Sequence, residues 1–92
     1  MKKEVSLKDY EVVLYPLISE KAVNMIEAEN KICFIVNKKA TKKEIKESVE
    51  RLYKAKVDSV RVIKDMKGRK KAIVKISKGF KAGDIAIKLG VL

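Results

Sequence analysis

The sequence contains no histidine and no tryptophan, only one cysteine and only one proline. Without histidine, the chain lacks the commonest general base and the commonest metal ligand. The cysteine, Cys33, has no second cysteine with which to form an intramolecular disulfide or a thiolate metal cage. It lies in an apolar run, which indicates a buried side chain and a reducing, intracellular compartment. We therefore expect neither a disulfide nor a metal site.

Long apolar stretches are also missing. No segment approaches the roughly 20 apolar residues of a membrane span, and residues 1–4 lack the apolar run of a signal peptide. A chain of 92 residues has room for one modest core. We expect a single cytoplasmic domain that spans residues 1–92.

The residue combinations that perform catalysis are absent as well. The sequence has no serine–histidine–aspartate set, no cysteine–histidine pair and no HExxH motif, and its four glycines lack the spacing of a phosphate-binding loop. Glu44 and Glu47 are paired carboxylates, but a helix cap and an ion pair account for them. We therefore expect no enzymatic activity, no catalytic residues and no cofactor.

Positive charge is what the chain has in excess. Its 23 lysines and arginines outnumber its 12 acidic residues, for a net charge of +11. Residues 1–29 carry a net charge of −2, whereas residues 30–92 carry +13. This asymmetry indicates a polyanionic partner for the later part of the chain. A solvated lysine- and glutamate-rich surface would show the two signs in near balance, and a membrane surface would require a long basic amphipathic helix.

The first third of the chain predicts one strand and one helix. Glu11–Tyr15 is a short apolar run with β-branched residues, typical of a strand that Pro16 ends. Ser19 is a suitable N-cap for a helix over Glu20–Glu29, and Asn30 tolerates the left-handed conformation that ends helices.

The middle third predicts a buried strand and an amphipathic helix. Lys31–Asn37 is apolar on both alternating faces, which favours an interior strand. Thr41 and Glu44 form a capping box at the start of the helix. The apolar stripe of this helix consists of Ile45, Val49, Leu52 and Tyr53. Two i,i+4 ion pairs are expected on its surface, Glu47 with Arg51 and Glu50 with Lys54.

The last third predicts a β-hairpin. Its apolar faces match if Val60 lies opposite Ile76 and Val62 opposite Val74. This register leaves residues 67–69 as a three-residue loop and places Arg61 beside Lys75. A short helical turn over Ile85–Leu89 follows, capped by Asp84 and closed by Gly90. The order of elements indicates an α+β fold with a mostly antiparallel sheet.

Two basic clusters are the candidate functional site. One lies at the N-terminus of the second helix, where free amides also favour phosphate, and the other lies around the hairpin tip. Lysine outnumbers arginine twenty to three, and the basic strand face lacks aromatic residues, so we expect recognition of a folded RNA through its backbone. The candidate RNA-binding residues are Lys38, Lys39, Lys42, Lys43, Lys46, Arg61, Lys67, Arg69, Lys70, Lys71 and Lys75.

Four segments in register resemble motifs of the ribosomal protein L23 (uL23) family. They are the stretch YPLISEKA at 15–22, ATKKEIK at 40–46, LYKAKV at 52–57 and KKAIVKI at 70–76. The C-terminal residues 82–90 are similar to the archaeal branch. The resemblance implies four antiparallel strands packed with helices, in the order strand, helix, strand, helix, strand, strand and a short C-terminal helical turn.

The resemblance also implies a function. Family members are structural constituents of the large ribosomal subunit, bind domain III of 23S rRNA beside the exit of the polypeptide tunnel, and neighbour proteins such as L29. They dock factors that meet the nascent chain, among them the signal recognition particle. The docking motif of the family matches Ser19, Glu20 and Lys21.

Two departures from the family pattern and two rival functions accompany this expectation. Bacterial members carry a long basic hairpin extension, which is a short loop here, and Arg61 stands where the family often has an asparagine.

The alternative within nucleic-acid binding is an archaeal chromatin or general RNA-coating protein. A further alternative is a protein-interaction module that uses the acidic N-terminal third.

Overall fold

The structure is a computed structural model that describes residues 7–90, with side chains from Asp9 onward. Residues 1–4, considered above for a signal peptide, lie outside the described residues. The described chain forms four strands and four helices. In order they are α1 (Leu7–Val12), β1 (Val13–Pro16), α2 (Glu20–Glu29), β2 (Lys31–Val36), α3 (Lys42–Tyr53), β3 (Val57–Lys64), β4 (Lys70–Ile76) and α4 (Ala82–Leu89).

The four strands form one antiparallel sheet in the order β1-β2-β4-β3. This arrangement confirms the α+β fold class with a four-stranded antiparallel sheet. It also confirms β2 as an interior strand, because β2 pairs with β1 on one side and with β4 on the other. Its residues 32–36 are all buried.

The core lies on one face of the sheet. Ile32 and Phe34 of β2 lie opposite Val74 and Ala72 of β4, and all four side chains point into the core. Helix α3 packs against β3 and also contacts α1, and Phe34 stacks on Tyr53 of α3 with ring centroids 5.7 Å apart. Burial of this apolar face is the main contribution to the stability of the sheet.

Helix α2 has the predicted bounds and caps. The Ser19 hydroxyl accepts a hydrogen bond from the Ala22 amide at 3.1 Å, and Asn30 adopts the left-handed conformation with φ of 55°. The Asn30 side chain also donates to the carbonyls of Ile76 and Phe80, at 3.1 and 3.0 Å, and accepts from the Ala82 amide at 2.7 Å. One residue thus joins the end of α2 to β4 and α4.

The predicted strand over Glu11–Tyr15 is wrong at its N-terminal end. Glu11 and Val12 belong to helix α1, and the strand begins at Val13. Helix α1 was not predicted because one of its inward-facing residues is a charged one, Asp9, which is fully buried. A hydrophobic pattern does not reveal a carboxylate that is buried against a partner 42 residues further along the chain.

The capping box of α3 is confirmed. The Thr41 hydroxyl accepts from the Glu44 amide at 3.2 Å, and the Glu44 carboxylate accepts from the Thr41 amide at 3.0 Å. Ile45 and Val49 of the apolar stripe are fully buried.

The two surface ion pairs predicted for α3 are replaced by longer-range contacts. Arg51 binds Asp9 of α1 rather than Glu47, with the closest nitrogen–oxygen distance 2.9 Å. The Glu50 carboxylate accepts from the Val57 amide at 3.0 Å, which anchors the start of β3.

The hairpin has a different register from the predicted one. Val60 lies opposite Val74 rather than Ile76, and Val62 opposite Ala72, so the loop has five residues, 65–69. A shift of two residues keeps every side chain on its own face, and the apolar pattern therefore fits both registers. Two features favour the observed one: a bulge between Val57 and Ser59, and the hydrogen bonds that Asp65 accepts from within the loop.

The C-terminal helix begins earlier than predicted. It starts at Ala82 rather than Ile85, because Asn30 satisfies the Ala82 amide, and its N-cap position is Lys81 rather than Asp84. Gly90 ends the helix with φ of 76°, as predicted.

Candidate nucleic-acid interface

The face of the sheet opposite the core is strongly basic. It carries Arg61 on β3, Lys71 and Lys75 on β4, and Lys31 on β2, which lies opposite Lys75. We call this surface, together with Ile63 and Ile73 between the cations, the open sheet face. Helix α2 lies along one side of it, and together they enclose a groove of about 430 Å³. The α2 residues that line the groove are Lys21, Met25 and Glu29.

The position of Arg61 corrects the predicted register. Its partner on β4 is Ile73, whereas Lys75 pairs with Ser59. Arg61 therefore lies diagonally between Lys71 and Lys75. The correction leaves all three cations on the open sheet face, although no two of them are direct partners in the ladder.

The second basic group lies at the start of α3. Lys38 and Lys39 are in the loop after β2, and Lys42 and Lys43 are in the first turn of α3. All four are exposed, as is Lys46 one turn later. We call the four residues of the loop and first turn the corner cluster. The positive end of the helix dipole adds to the potential around them.

The loop that carries the corner cluster is fixed by its own hydrogen bonds. The Asn37 side-chain oxygen accepts a hydrogen bond from the Lys39 backbone amide at 2.9 Å. The Asn37 backbone carbonyl accepts from the Ala40 backbone amide at 3.0 Å, and the Asn37 backbone amide donates to the Val12 backbone carbonyl at 2.9 Å. Lys38 and Lys39 therefore extend from a rigid support.

Lys70 joins this loop to the hairpin. Its ammonium group donates to the carbonyl oxygens of Ala40 and Lys38, the latter at 3.3 Å, and the residue is half-buried. Sequence reasoning placed Lys70 among the residues that contact RNA. The structure instead shows its charge directed at the backbone carbonyls of the loop that carries the corner cluster, 30 and 32 residues earlier in the chain.

Arg69 is likewise held by the protein. Its guanidinium pairs with the Asp65 carboxylate at 2.7 Å and lies 3.5 Å from the Tyr15 hydroxyl. The Tyr15 hydroxyl and the Asp65 carboxylate both raise the pKa of Arg69. Lys67, at the exposed tip of the loop, completes the set of cations predicted there.

Asp65 organises the hairpin loop. Partial burial alone would raise the pKa of Asp65, but hydrogen bonds from the Arg69 backbone, the Arg69 side chain and the Lys67 backbone outweigh it, so the pKa is lowered. The loop is therefore a fixed turn centred on an ionised carboxylate.

Tyr15 is a residue of this surface that sequence reasoning missed. It lies opposite Ile35 on β2, which places it on the same side of the sheet as Lys71, and its side chain is 45% exposed. The basic strands β3 and β4 lack aromatic residues, as expected, and β1 adds one aromatic ring on the same side of the sheet. The sequence offered no signal for this position, because β1 is distant from β3 and β4 in the chain and joins them in one sheet only through β2.

Cys33 lies beneath the basic surface rather than on it. The side chain is 1% exposed. Burial raises the pKa of the thiol, while the nearby charges of Lys71, Lys21 and Lys31 lower it to a smaller extent. Cys33 is thus the small buried side chain that the sequence indicated.

The proposed docking residues occupy the first turn of α2. The Ser19 hydroxyl accepts the capping hydrogen bond of the helix. Glu20 and Lys21 are exposed, and Ile18, just before them, is 67% exposed. Lys21 also lines the groove of the open sheet face, so it lies at the boundary between the two surfaces.

The described part of the chain contains no cluster of three or more metal-ligating side chains. Within residues 7–90, no helix has the length and apolar character needed to cross a membrane. A small α+β domain that presents clustered surface cations and no catalytic or metal-ligating cluster among its described residues is typical of the structural proteins of ribonucleoprotein particles.

Comparison with known proteins identifies the family. The family model for ribosomal protein L23 matches residues 11–83. The large ribosomal subunit protein uL23 of Methanococcus vannielii is 40% identical over 82 residues, which cover 89% of this chain and 95% of that relative. The chain belongs to the ribosomal protein L23 family, which confirms the resemblance seen in its motifs, including the archaeal one.

Membership of this family establishes the general role of the chain. It is a structural, non-enzymatic component of the large ribosomal subunit, located in the cytoplasm on the ribosome.

Proposed function

We propose that this chain binds 23S rRNA near the exit of the polypeptide tunnel through a cationic surface that passes around the end of the sheet. The surface combines the open sheet face with Lys67 and with the corner cluster, which lies toward the core side of the sheet. The observation that carries the proposal is the Lys70 contact with the Ala40 and Lys38 carbonyls. It ties the loop of the corner cluster to the start of β4, the strand that carries Lys71 and Lys75 of the open sheet face.

The cations of this surface divide by what their charges contact. Lys70 and Arg69 are directed at protein atoms, so we assign them to positioning. The remaining candidates are assigned to phosphate contacts, because no described protein carboxylate pairs with them in the structure. These residues are Lys38, Lys39, Lys42, Lys43, Lys46, Arg61, Lys67, Lys71 and Lys75.

Backbone recognition suits this composition. Lysine ammonium groups contact phosphates without reading base identity, so the spacing of the cations would select the shape of a folded RNA. Each phosphate that is neutralised releases counterions, and binding should therefore weaken steeply as salt increases.

The test is a comparison of two double variants of the full chain on a transcript of 23S domain III. Lys38→Gln/Lys39→Gln removes two proposed contacts, and the matched control Lys54→Gln/Lys56→Gln removes two exposed lysines near the C-terminus of α3. We expect the first pair to lower affinity and reduce the salt slope by about two. Equal effects from both pairs, or none from either, would contradict the proposal.

A general RNA-coating protein is the rival function. It predicts equal affinity for the transcript and for an unrelated RNA duplex of the same length at the same salt concentration. The ribosomal function predicts clear preference for the transcript, because a rigid face can match only one arrangement of phosphates.

We further propose that the first turn of α2 contributes to the docking of nascent-chain factors, the signal recognition particle among them. Exposed Glu20 next to exposed Ile18 supports this, since it offers an acidic and an apolar contact outside the cationic surface. Ribosomes that carry Glu20→Lys should bind the signal recognition particle more weakly than those that carry Glu27→Lys, the control on the same helix. Unchanged binding with Glu20→Lys would refute the docking role.

The remaining proposals concern the organisation of the chain. We infer a single domain over residues 1–92, and contact with neighbouring large-subunit proteins such as L29. Limited proteolysis of the free chain tests the first, since a second unit would be released as a stable fragment. Crosslinking on assembled subunits tests the second.

A further inference from the structure

The edge of the cationic surface contains an apolar pocket that phosphate contacts do not explain. It has a volume of about 450 Å³ and lies between β1, the end of β2 and the start of β4. Exposed Tyr15 and Leu14 form one side of it, and Ile35 and Val36 also line it. Its basic lining residues are Lys38, Lys39, Arg69 and Lys70. The volume is within the range of roughly 300–1000 Å³ typical of small-ligand sites.

We propose that this pocket receives one unpaired nucleobase of the RNA, which stacks on Tyr15 while its phosphate lies against Lys38 and Lys39. The inference rests on the proposed function, because the pocket adjoins the surface assigned to rRNA. It adds a stacking site to an interface otherwise made of phosphate contacts.

The chemistry of the pocket favours a nucleotide over a peptide. An exposed aromatic ring with cations beside it matches a planar base attached to a negatively charged phosphate. Acidic side chains do not line the pocket, so a cationic peptide finds no partner there. An acidic peptide would satisfy the lysines but would not use the exposed ring.

The pocket is also rigid before any ligand binds. Arg69 is held between Asp65 and the Tyr15 hydroxyl, Lys70 fixes the backbone of Lys38 and Ala40, and the Asn37 side chain fixes Lys39. A preformed site costs less ordering on binding than a flexible one. The ring and the backbone that carries Lys38 and Lys39 therefore keep fixed relative positions, and only the lysine side chains need to be ordered on binding.

The experiment compares tyrosine variants of the full chain on the transcript of 23S domain III. Tyr15→Leu removes the ring, and Tyr10→Leu is the matched control, since Tyr10 is 60% exposed on α1 and outside the pocket. We expect Tyr15→Leu to weaken binding about tenfold, within the range for loss of one base–aromatic stack. The salt slope should not change, because no phosphate contact is lost. Tyr15→Phe, which keeps the ring, should restore most of the affinity.

A second measurement does not depend on affinity. With a photoreactive phenylalanine analogue at position 15, irradiation of assembled large subunits should produce a crosslink to one unpaired nucleotide. A crosslink to a base-paired nucleotide or to a neighbouring protein would overturn the stacking proposal.

The outcomes separate this inference from the proposed function. If Tyr15→Leu binds as tightly as Tyr10→Leu while Lys38→Gln/Lys39→Gln weakens binding, the stacking site is wrong and the phosphate interface stands. If neither the tyrosine nor the lysine variants change affinity, the proposed interface itself is wrong.

Discussion

At the scale of single residues, buried charge contributes more to the stability of the fold than exposed charge does. The Asp9 side chain is 0% exposed and accepts from the Ser48 hydroxyl at 3.0 Å as well as from Arg51. The guanidinium in turn has its pKa raised, first by its hydrogen bond with Asp9. These contacts join α1 to α3. Since the described side chains leave no buried polar atom without a partner, removal of the Asp9 carboxylate would leave the buried Ser48 hydroxyl without its acceptor.

We therefore predict that Asp9→Ala destabilises the free chain by about 2 kcal/mol, because it leaves the buried Ser48 hydroxyl without its partner. The double variant Asp9→Leu/Arg51→Met should recover part of this loss, since it removes both members of the ion pair and fills the buried position with an apolar side chain. Urea unfolding at neutral pH measures both changes. A loss below about 0.5 kcal/mol for Asp9→Ala, the range of surface substitutions, would contradict the prediction.

A second residue-scale prediction concerns pH. Because the pKa of Asp65 is lowered in the folded chain, its contribution to stability is present above the ordinary value of 3.8 and is lost as the pH falls through the folded pKa. The amide resonances of Lys67 and Arg69 should therefore shift in a titration with a midpoint below 3.8. In Asp65→Asn this transition should be absent. A midpoint above 3.8 in the native chain would show that the loop does not hold the carboxylate as described.

At the scale of elements, the sequence predicted those whose signals are local. Helix α2 and the capping box of α3 depend on residues three or four positions apart, and both were located correctly. Helix α1 depends on the distant contact between Asp9 and Arg51, and the hairpin register depends on a bulge and on Asp65. The same limit applied to the site, where the clusters were predicted but the positioning roles of Lys70 and Arg69 were not.

Asn30 gives the element-scale prediction, since it connects three elements. Asn30→Gly keeps the left-handed backbone but loses the side-chain bonds to Phe80 and Ala82, whereas Asn30→Ala also adds strain of about 1 kcal/mol. We expect both to speed amide hydrogen exchange in α4 more than in β4, with Ala the more destabilising. Equal acceleration in α4 and β4, or Gly worse than Ala, would argue against Asn30 as the anchor of α4.

At the scale of the whole molecule, the charge is unevenly balanced in space as well as in sequence. The corner cluster and the open sheet face each hold four cations, while only three ion pairs form among the described residues. The like charges within these groups repel one another in the free protein. The folded chain is therefore less stable alone than when it is bound to a polyanion.

This self-repulsion predicts that the free chain becomes more stable as salt increases from about 0.01 to 0.3 M, because the Debye length falls from about 30 Å to below 10 Å. The thermal midpoint should rise over this range, and rise less in Lys38→Gln/Lys39→Gln, where part of the repulsion has been removed. Differential scanning calorimetry provides the comparison. A midpoint that falls with salt would mean that attractive pairs dominate the surface.

The Asp9 contact has a practical consequence for defining the boundaries of this fold. The family match begins at residue 11, two residues after the carboxylate that pairs with Arg51. A version trimmed to the matched segment would leave the Arg51 guanidinium without the hydrogen bonds and ion pair that Asp9 supplies. This domain, when produced in isolation, should therefore begin upstream of α1. A family alignment extended to α1 would include Asp9 together with Arg51, the residue with which it pairs.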